Sequence, residues 1–417
     1  MKQQRLVVIG GGAAGFFCAV NAARMNPELE VIIIEKSNKV LGKVKVSGGG
    51  RCNVTHACFE LREMVNKYPR GGNFVKKAFH QFFTTDTIEW FSLRGVDLKT
   101  EADGRMFPVT DSSQTIIDCL LREVNLYSVK IWMNKEVKTL KKEDDGFHLQ
   151  FANSETIISD FVCIASGGYP KSSMFNWLKE TGHTIEDPVP SLFTFNLPGN
   201  SIIKLMGITL EDVRIKIAGT KLEEEGPLLI THWGLSGPAV LRLSAWGARQ
   251  LAEKNWEFAI LINWLPAYNE QSLKEKFQEL RFDLAAQKIS NKNALGLPHR
   301  LWDHFLYQAG IKEETRWADL PAVLQNKLVK LICAGDFLVK GKTTFKEEFV
   351  TAGGIKLSEV EPQTMMSKKT PNLYFAGEIL DVDGVTGGFN FQHAWTSGWI
   401  AGNTIAESSI ATAIKSL

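Results

Sequence analysis

The residues best suited to chemistry lie near the start of the chain, where three glycines are spaced as Gly10-x-Gly12-x-x-Gly15. An apolar run precedes them, a helix-like segment follows, and the next apolar run ends at Glu35. In a βαβ unit the first glycine makes the turn, the second admits a pyrophosphate and the third lets helix and strand pack closely. This order of parts predicts a dinucleotide site, and the alternative is a glycine-rich connector without a ligand.

A nucleotide bound at this turn would meet the start of the helix. Free N–H groups at a helix start attract phosphate oxygens. The carboxylate of Glu35 would accept a hydrogen bond from a ribose hydroxyl and would repel a 2′-phosphate. We therefore expect cofactor contacts from Gly10, Gly12, Ala13, Ala14, Gly15, Glu35 and Lys36.

A second glycine-rich stretch, residues 42–55, contains three consecutive glycines followed by an Arg-Cys-Asn sequence. Each ordered glycine costs backbone entropy, so we expect something to lie against this backbone. Residues 36–77 hold ten Lys or Arg and two acids. The distal lysines suit a solvated surface, whereas Lys43, Lys45 and Arg51 suit an anionic ligand or a flavin edge. The contacts expected here come from Lys43, Ser47, Gly48, Gly49, Gly50, Arg51, Cys52 and Asn53.

Cys52 has two interpretations. A free cysteine is usually a small buried hydrophobe, which is the interpretation we favour. The other is an acid that protonates the substrate, and this makes Cys52 the candidate catalytic residue. The chain has six cysteines and no CxxC pair, so the thiols predict neither a metal site nor a disulfide framework and favour a reducing, cytoplasmic setting.

Composition bounds the class of protein but not its chemistry. The chain has 417 residues, 44% of them hydrophobic and 23% charged, and its formal net charge is +2. A chain of this length exceeds one hydrophobic core, so we expect several domains. The net charge points to no particular partner. No run of 18 apolar residues occurs in the sequence, and we expect no membrane span.

Four further segments have sequence patterns that predict secondary structure. Alternating segments within residues 135–158 predict a small antiparallel sheet, and residues 79–93 predict an amphipathic helix. Residues 161–168 read as a buried strand ending in two glycines, where the backbone at Ala165, Ser166 and Gly167 can approach a ligand. Small residues on one face of the segment 386–402 predict a closely packed helix.

Several stretches resemble one known family. Residues 46–55 are similar to the signature of the BaiN/RdsA group of FAD-dependent oxidoreductases, also described as YhiN-like or aminoacetone-oxidase-family flavoproteins. Further agreement follows in the same order along the chain, at residues 104–108, 231–238, 350–355 and 374–390.

The resemblance implies an α/β fold. We expect a two-dinucleotide-binding-type FAD Rossmann domain with an inserted β-barrel-like domain and a small helical domain. The Rossmann-type domain would comprise residues 1–190 and 345–417, the β-rich insertion 191–265 and 336–344, and the helical insertion 266–335. A change of sequence texture after Pro188, towards short β-rich pieces between glycines and prolines, agrees with the first boundary.

The resemblance also implies further cofactor contacts. Val137 would contact the adenine through its backbone, and Glu378 would bring an acid to the ribityl and pyrophosphate region. The partial positive charge at the start of the last helix would stabilise the anion at N1/O2 of a reduced flavin. The C-terminal residues expected at the site are Gly377, Glu378, Asp381, Gly387, Gly388, Phe389 and Asn390. Asp381 and Asp383 have no third carboxylate or well-spaced His close by, so no metal site is expected.

The chemistry implied by the resemblance is reduction of an activated C=C bond, in steroid-like molecules or in uridine of ribosomal RNA. Hydride would pass from NAD(P)H to FAD and then to the substrate. The chain has one dinucleotide fingerprint, so the nicotinamide nucleotide would bind transiently. Two alternatives stay open: an FAD-dependent oxidase or reductase of a small amine or steroid-like molecule, and a non-redox RNA-binding or hydratase-like protein that contains FAD.

Overall fold

The computed structural model describes residues 3–291, 293–344 and 350–415. By its internal contacts the chain forms two compact units, Met1–Ser191 with Phe345–Leu417, and Leu192–Thr344. The predicted domain start at residue 345 lies outside the described residues. The predicted three-way division of the chain stays a prediction.

Strands occur in both units. In chain order they are β1 Arg5–Ile9, β2 Glu30–Ile34, β3 Thr55–His56, β4 Leu98–Thr100, β5 Arg105–Pro108, β6 Lys130–Trp132, β7 Val137–Glu143, β8 Gly146–Phe151, β9 Thr156–Ser159, β10 Phe161–Ile164, β11 Ile185–Ser191, β12 Thr194–Asn196, β13 Thr209–Ile217, β14 Glu223–Ile230, β15 Gly234–Ser236, β16 Glu257–Asn263, β17 Gly335–Lys340, β18 Lys342–Thr343, β19 Val350–Ile355 and β20 Leu373–Phe375.

The α-helices begin with the predicted crossover helix and end with a long C-terminal helix. In chain order they are α1 Ala13–Met25, α2 Gly42–Gly50, α3 Leu61–Val65, α4 Gly72–Phe79, α5 Thr84–Ser92, α6 Ser113–Leu126, α7 Pro238–Trp246, α8 Ala248–Glu253, α9 Glu270–Asp283, α10 His299–Ala309, α11 Ala322–Cys333 and α12 Phe389–Lys415.

The first unit is built on a five-stranded sheet with the order β20-β10-β1-β2-β6. Every neighbouring pair in it is parallel. The central strands are continuous apolar runs, and Val7, Val8 and Ile33 are fully buried, as expected for a parallel sheet covered on both faces. Ligands in such sheets bind beyond the carboxyl ends of the strands, which is where the loops after β1, β2 and β10 lie.

Helix α12 packs against α1 at very short range. A Cβ atom added at Gly398 would lie 2.5 Å from the carbonyl oxygen of Ala14, and one at Gly402 would lie 2.4 Å from that of Cys18. These two glycines are four residues apart and therefore share one face of α12. The predicted small-residue face thus lets the two helix backbones approach, and it joins the C-terminal segment to the helix that follows the first glycine turn.

The helix predicted over residues 79–93 is wrong in its extent. The structure has α4 ending at Phe79 and α5 beginning at Thr84. The carboxylate of Asp86 accepts a hydrogen bond from Phe83 N at 2.6 Å and so caps a new helix. The amphipathic pattern continues through the break, whereas the capping acid decides where the second helix starts.

The second unit contains a seven-stranded sheet with the order β17-β16-β13-β14-β15-β12-β18. Only Gly341 separates β17 from β18, and its φ of 88° bends the strand. One bent strand therefore pairs with β16 at one end of the order and with β12 at the other, which closes the sheet as the predicted barrel-like domain. Residues from these strands and from α9–α11 share one hydrophobic core that includes Trp264, Trp302 and Trp317.

Candidate functional site

The turn after β1 uses its glycines in two ways. A Cβ at Gly10 would lie 2.3 Å from Ala165 O, and one at Gly15 would lie 2.0 Å from Gly10 O. These two positions are glycine because backbone segments touch there. A Cβ at Gly12 would have no atom within 4 Å. Helix α1 begins directly after Gly12 without a side-chain cap, so its first N–H groups are available to an anion.

Glu35 is held at this turn by backbone groups. Its Oε2 accepts a hydrogen bond from Gly11 N at 3.0 Å and its Oε1 accepts one from Ser37 N at 2.9 Å. These bonds fix the carboxylate at the end of β2 and leave it further lone pairs. Its contact with a ribose stays a prediction, and the geometry is compatible with it.

A cavity of about 340 Å³ opens beside the turn. This volume is within the range of small-ligand pockets. The predicted contacts Gly10, Glu35, Lys36, Val137 and Ser166 all line it. The structure adds aromatic walls that the sequence analysis missed, among them Tyr169 and Trp177. No local signal marks them, because they lie in the turn after β10 and in the 3-10 helix that follows, Ser172–Thr181.

The second glycine stretch leaves helical geometry at the end of α2. The φ angles of Gly48, Gly49 and Gly50 are 58°, 69° and 85°, in the left-handed region that favours glycine. A Cβ at Gly48 would lie 2.8 Å from the ring of Phe107, whereas none at Gly49 or Gly50 would meet an atom within 4 Å. The last two glycines therefore present open backbone, as a site for a flat ligand requires.

Two of the three cations of this loop are paired with carboxylates. Lys43 Nζ lies 2.5 Å from Glu378 Oε2, and Arg51 Nη1 lies 2.5 Å from Glu101 Oε1. The guanidinium of Arg51 also stacks over Phe107 at 4.0 Å. The predicted contact between Arg51 and an anion stays a prediction, and this pairing disfavours it because the charge is already offset. The hydroxyl of Ser47 donates a hydrogen bond to Val44 O at 3.0 Å, within α2.

Cys52 is fully buried. Burial raises the pKa of its thiol to about 12, so the group is a weak acid with no exposed surface from which to reach a substrate. The catalytic role of Cys52 stays a prediction that this burial disfavours.

The side chain of the neighbouring Asn53 holds two backbone segments together. Its amide nitrogen donates to Thr55 O and its oxygen accepts from Gly388 N, both at 3.0 Å.

The C-terminal contacts converge before α12. Gly387 and Gly388 have φ angles of 130° and 95°, and a Cβ at Gly388 would lie 2.5 Å from Thr55 O. The side chain of Asn390 forms two hydrogen bonds within the loop, where it accepts from Gly384 N at 2.8 Å and donates to Gly384 O at 2.9 Å. Its cofactor contact stays a prediction.

Three aromatic and polar contacts fix the start of α12 and the turns before it. The ring of Phe389 is buried and stacks on His56 at 4.6 Å. His56 Nδ1 lies 3.0 Å from Gly387 O, and burial lowers the pKa of His56. Gly377 N donates to Ser397 Oγ at 2.8 Å. The turns that carry Gly377 and Gly387 are thus fixed by side chains that the sequence analysis did not select.

Asp383 belongs to a buried ion pair. Its carboxylate receives two hydrogen bonds from the guanidinium of Arg70, and it accepts from Ser191 Oγ at 2.7 Å. Burial raises the pKa of the Asp383 carboxyl despite this partner. Asp381 N donates to Ile355 O at 3.2 Å. Asp383 therefore pins the loop before α12.

In the described part of the chain, one group of possible metal ligands has its atoms within 4.8 Å of one another: Glu143, Asp145 and His148. It lies on the hairpin between β7 and β8. The side chain of His148 contacts Asp145 at 2.6 Å, so the imidazole has a carboxylate partner within the hairpin. An exposed acidic turn of this kind needs no ion.

These features fit a long dinucleotide cofactor. Open backbone at Gly12, Gly49 and Gly50, a cavity beside Glu35, and a helix start after Gly388 lie in the same compact unit. The fold and site define an FAD-binding Rossmann-type oxidoreductase. The family model described as HI0933-like protein Rossmann domain matches residues 4–404. The chain belongs to this family, which confirms the resemblance found in the sequence.

Two relatives match over nearly the whole chain. The ribosomal RNA dihydrouridine synthase of Escherichia coli (strain K12) is 31% identical over 408 residues, covering 96% of this chain and 97% of the relative. The 3-dehydro-bile acid delta(4,6)-reductase of Clostridium scindens is 27% identical over 412 residues, covering 97% and 99%.

Solved structures agree on the fold. A flavocytochrome c3 fumarate reductase in its open conformation has a TM-score of 0.51 at 16% identity, covering 98% of this chain and 78% of that chain. The 3-ketosteroid-delta4-(5alpha)-dehydrogenase from Rhodococcus jostii RHA1 has a TM-score of 0.51 at 13% identity, covering 97% of each. None of the described helices combines the length and apolar character that crossing a bilayer requires.

Proposed function

We propose that this protein binds FAD, takes hydride from NAD(P)H and reduces an activated C=C bond, with uridine of ribosomal RNA as the favoured substrate. The proposal is carried by the open glycine backbone at Gly12 and at Gly49–Gly50, together with the cavity of about 340 Å³ that Gly10 and Glu35 line. The two full-length relatives support the reaction type, because dihydrouridine is uridine with one ring double bond reduced and the other relative is named a reductase.

Each part of the cofactor would contact a different group of residues. The start of α1 would hold the pyrophosphate, Glu35 the ribose, and the cavity next to Val137 the adenine. Open backbone at Gly49–Gly50 and the glycines before α12 would hold the isoalloxazine. The start of α12 carries roughly half a positive elementary charge, which stabilises an anionic ring. FAD, when bound, supplies the hydride-transfer chemistry.

The nicotinamide nucleotide is proposed as a transient partner. The sequence has one glycine fingerprint, which the FAD site uses, so NAD(P)H would bind, reduce the flavin and leave before the substrate enters. A substrate in ribosomal RNA places the reaction in the cytoplasm. We assign no proton donor, because the thiol of Cys52 is buried and its pKa is about 12.

Anaerobic mixing of the FAD-loaded protein with NADH or NADPH tests the redox step. The flavin absorbance at about 450 nm should bleach. Ribosomal RNA from cells with and without the gene should then differ in dihydrouridine content. Bleaching without a change in dihydrouridine would remove the RNA substrate but keep the reductase, whereas a flavin that neither nucleotide reduces would favour the non-redox alternative.

A steroid-like substrate is the second candidate, and the bile acid reductase relative favours it. A conjugated steroid ketone would then reoxidise the reduced flavin rapidly at high as well as low salt. Reoxidation by RNA alone, with steep salt dependence, would exclude this candidate.

A further inference from the structure

The segment of residues 61–80, here called the basic hairpin, consists of α3, a turn and α4. It contains five Lys or Arg and one acid, Glu63. The side chains of Arg62, Lys67, Lys76 and Lys77 are exposed. None of these four has an ion-pair partner in the part of the chain that the structure describes.

Some other cations of the same unit are paired with carboxylates. Lys43 pairs with Glu378, Arg51 with Glu101, and Arg94 Nε lies 2.6 Å from Glu123. A solvated surface would explain exposed lysines, but surface charges of both signs are usually interspersed. The basic hairpin instead holds four exposed cations and a single acid, Glu63, so its positive potential adds up across the surface.

The basic hairpin is fixed to the segment that precedes α12. Val385 N donates to Lys67 O at 2.8 Å, and the hydroxyl of Tyr68 donates to Phe389 O at 2.6 Å. Arg70 forms the buried ion pair with Asp383. The hairpin therefore has a defined position beside the glycines that are proposed to hold the isoalloxazine.

A recess of about 390 Å³ lies at the start of α4. Gly72 and Lys77 line it on one side, and Ser358 and Lys368 line it on the other. Helix α4 has no side-chain cap at its start, so backbone N–H groups there remain available. Lys368 Nζ lies 3.7 Å from Glu361 Oε2, so the ammonium group of Lys77 and the N–H groups are the ones that suit the oxygens of a phosphodiester.

We propose that the basic hairpin binds the phosphodiester backbone of RNA and so presents a nucleotide to the neighbouring flavin site. This inference rests on the proposed function and names the surface that its RNA substrate would occupy. A small anionic substrate would need one enclosed site, whereas these charges are spread along an open surface. A polyanion matches such a surface because each neutralised phosphate releases a condensed counterion.

The test compares two triple variants of the FAD-loaded, full-length protein. Lys67→Gln/Lys76→Gln/Lys77→Gln removes three charges from the basic hairpin. Lys312→Gln/Lys327→Gln/Lys330→Gln removes three exposed charges from the second unit as the matched control. Binding of a fluorescent oligouridylate is followed by anisotropy at increasing KCl concentration, together with flavin content and bleaching by NAD(P)H.

The hairpin variant should bind oligouridylate at least about tenfold more weakly, and the slope of log K against log salt should fall by about 2. Its flavin content and bleaching should match the wild type, which shows that it is folded. The control variant should bind like the wild type. Equal binding by the hairpin variant, or equal losses in both variants, would refute the proposal.

Two further outcomes separate this inference from the proposed function. If the flavin bleaches and dihydrouridine depends on the gene, yet the hairpin variant binds normally, only the RNA surface is wrong. If poly-glutamate competes for the hairpin as strongly as oligouridylate, the surface recognises acidic protein and the RNA assignment is overturned.

Discussion

The two glycine-rich regions of the first unit look alike in sequence but need glycine for opposite reasons. At the turn after β1, Gly10 and Gly15 are crowded, with Cβ positions 2.3 and 2.0 Å from backbone oxygens. At the end of α2, Gly49 and Gly50 have open space around them and positive φ angles. The first region uses glycine to let segments touch, and the second uses it to shape a loop.

The comparison gives a way to separate stability from cofactor binding. A substitution that creates overlap must move backbone, whereas one that only forces a left-handed conformation strains a single residue. Gly12 belongs to neither group, because it is neither crowded nor left-handed. It should matter for the ligand alone.

The largest effect is expected for Gly15→Ala. The new methyl group would overlap Gly10 O at 2.0 Å, and neither backbone segment can yield without disturbing the turn. The free energy of unfolding should fall by about 3 kcal/mol, and the purified protein should lack FAD. Urea denaturation and the ratio of flavin to protein absorbance measure both. A variant with normal stability would show that the turn is less crowded than the structure indicates.

The next effect is expected from acid, which acts on a buried histidine near the start of α12. His393 lies in α12, its Nε2 is 3.3 Å from Gly377 O, and burial lowers its pKa to about 4. Between the unfolded pKa of about 6.5 and the folded value, the unfolded chain binds more protons. Stability therefore falls as pH falls through this window, by about 3 kcal/mol in total.

The test of the acid effect is the difference in pH dependence between wild type and His393→Gln. Denaturation midpoints at neutral pH and near pH 4.5 should differ less in the variant, whatever its stability at neutral pH. Parallel curves for the two proteins would assign the acid sensitivity to other groups.

A smaller effect is expected for Gly49→Ala. The site has room for the methyl group, so the cost is that of the left-handed conformation, about 1 kcal/mol. Gly49→Asn should cost less, because asparagine tolerates this region. The free energy of unfolding should therefore decrease from the wild type to Gly49→Asn and again to Gly49→Ala. An equal loss in both variants would point to steric crowding instead.

Gly12→Ala should change the free energy of unfolding of the FAD-free protein least, by less than about 0.5 kcal/mol. The same methyl group would stand where the backbone faces the proposed pyrophosphate. FAD should therefore bind at least about tenfold more weakly, about 1.4 kcal/mol, as measured by titration of flavin fluorescence. Unchanged affinity would mean that the cofactor does not approach this surface.

Prediction from the sequence succeeded where the signal is contiguous. The strand, glycine turn, helix and Glu35 follow one another within 35 residues, and each has a local cause. It failed at the helix over residues 79–93, where Asp86 starts a new helix. It missed Arg70 as the partner of Asp383 and Glu378 as the partner of Lys43, because these pairs are separated by 313 and 335 residues.

The sequence by itself determined the glycine pattern, the buried apolar strands and the family. The first two depend on residues that are neighbours in the chain, and the family depends on motifs that occur in the same order along it. Only the tertiary structure decided which glycines are crowded, which cations are already neutralised and that Cys52 is buried. Those properties arise from segments far apart in sequence that meet in space, and no local pattern encodes the distance between them.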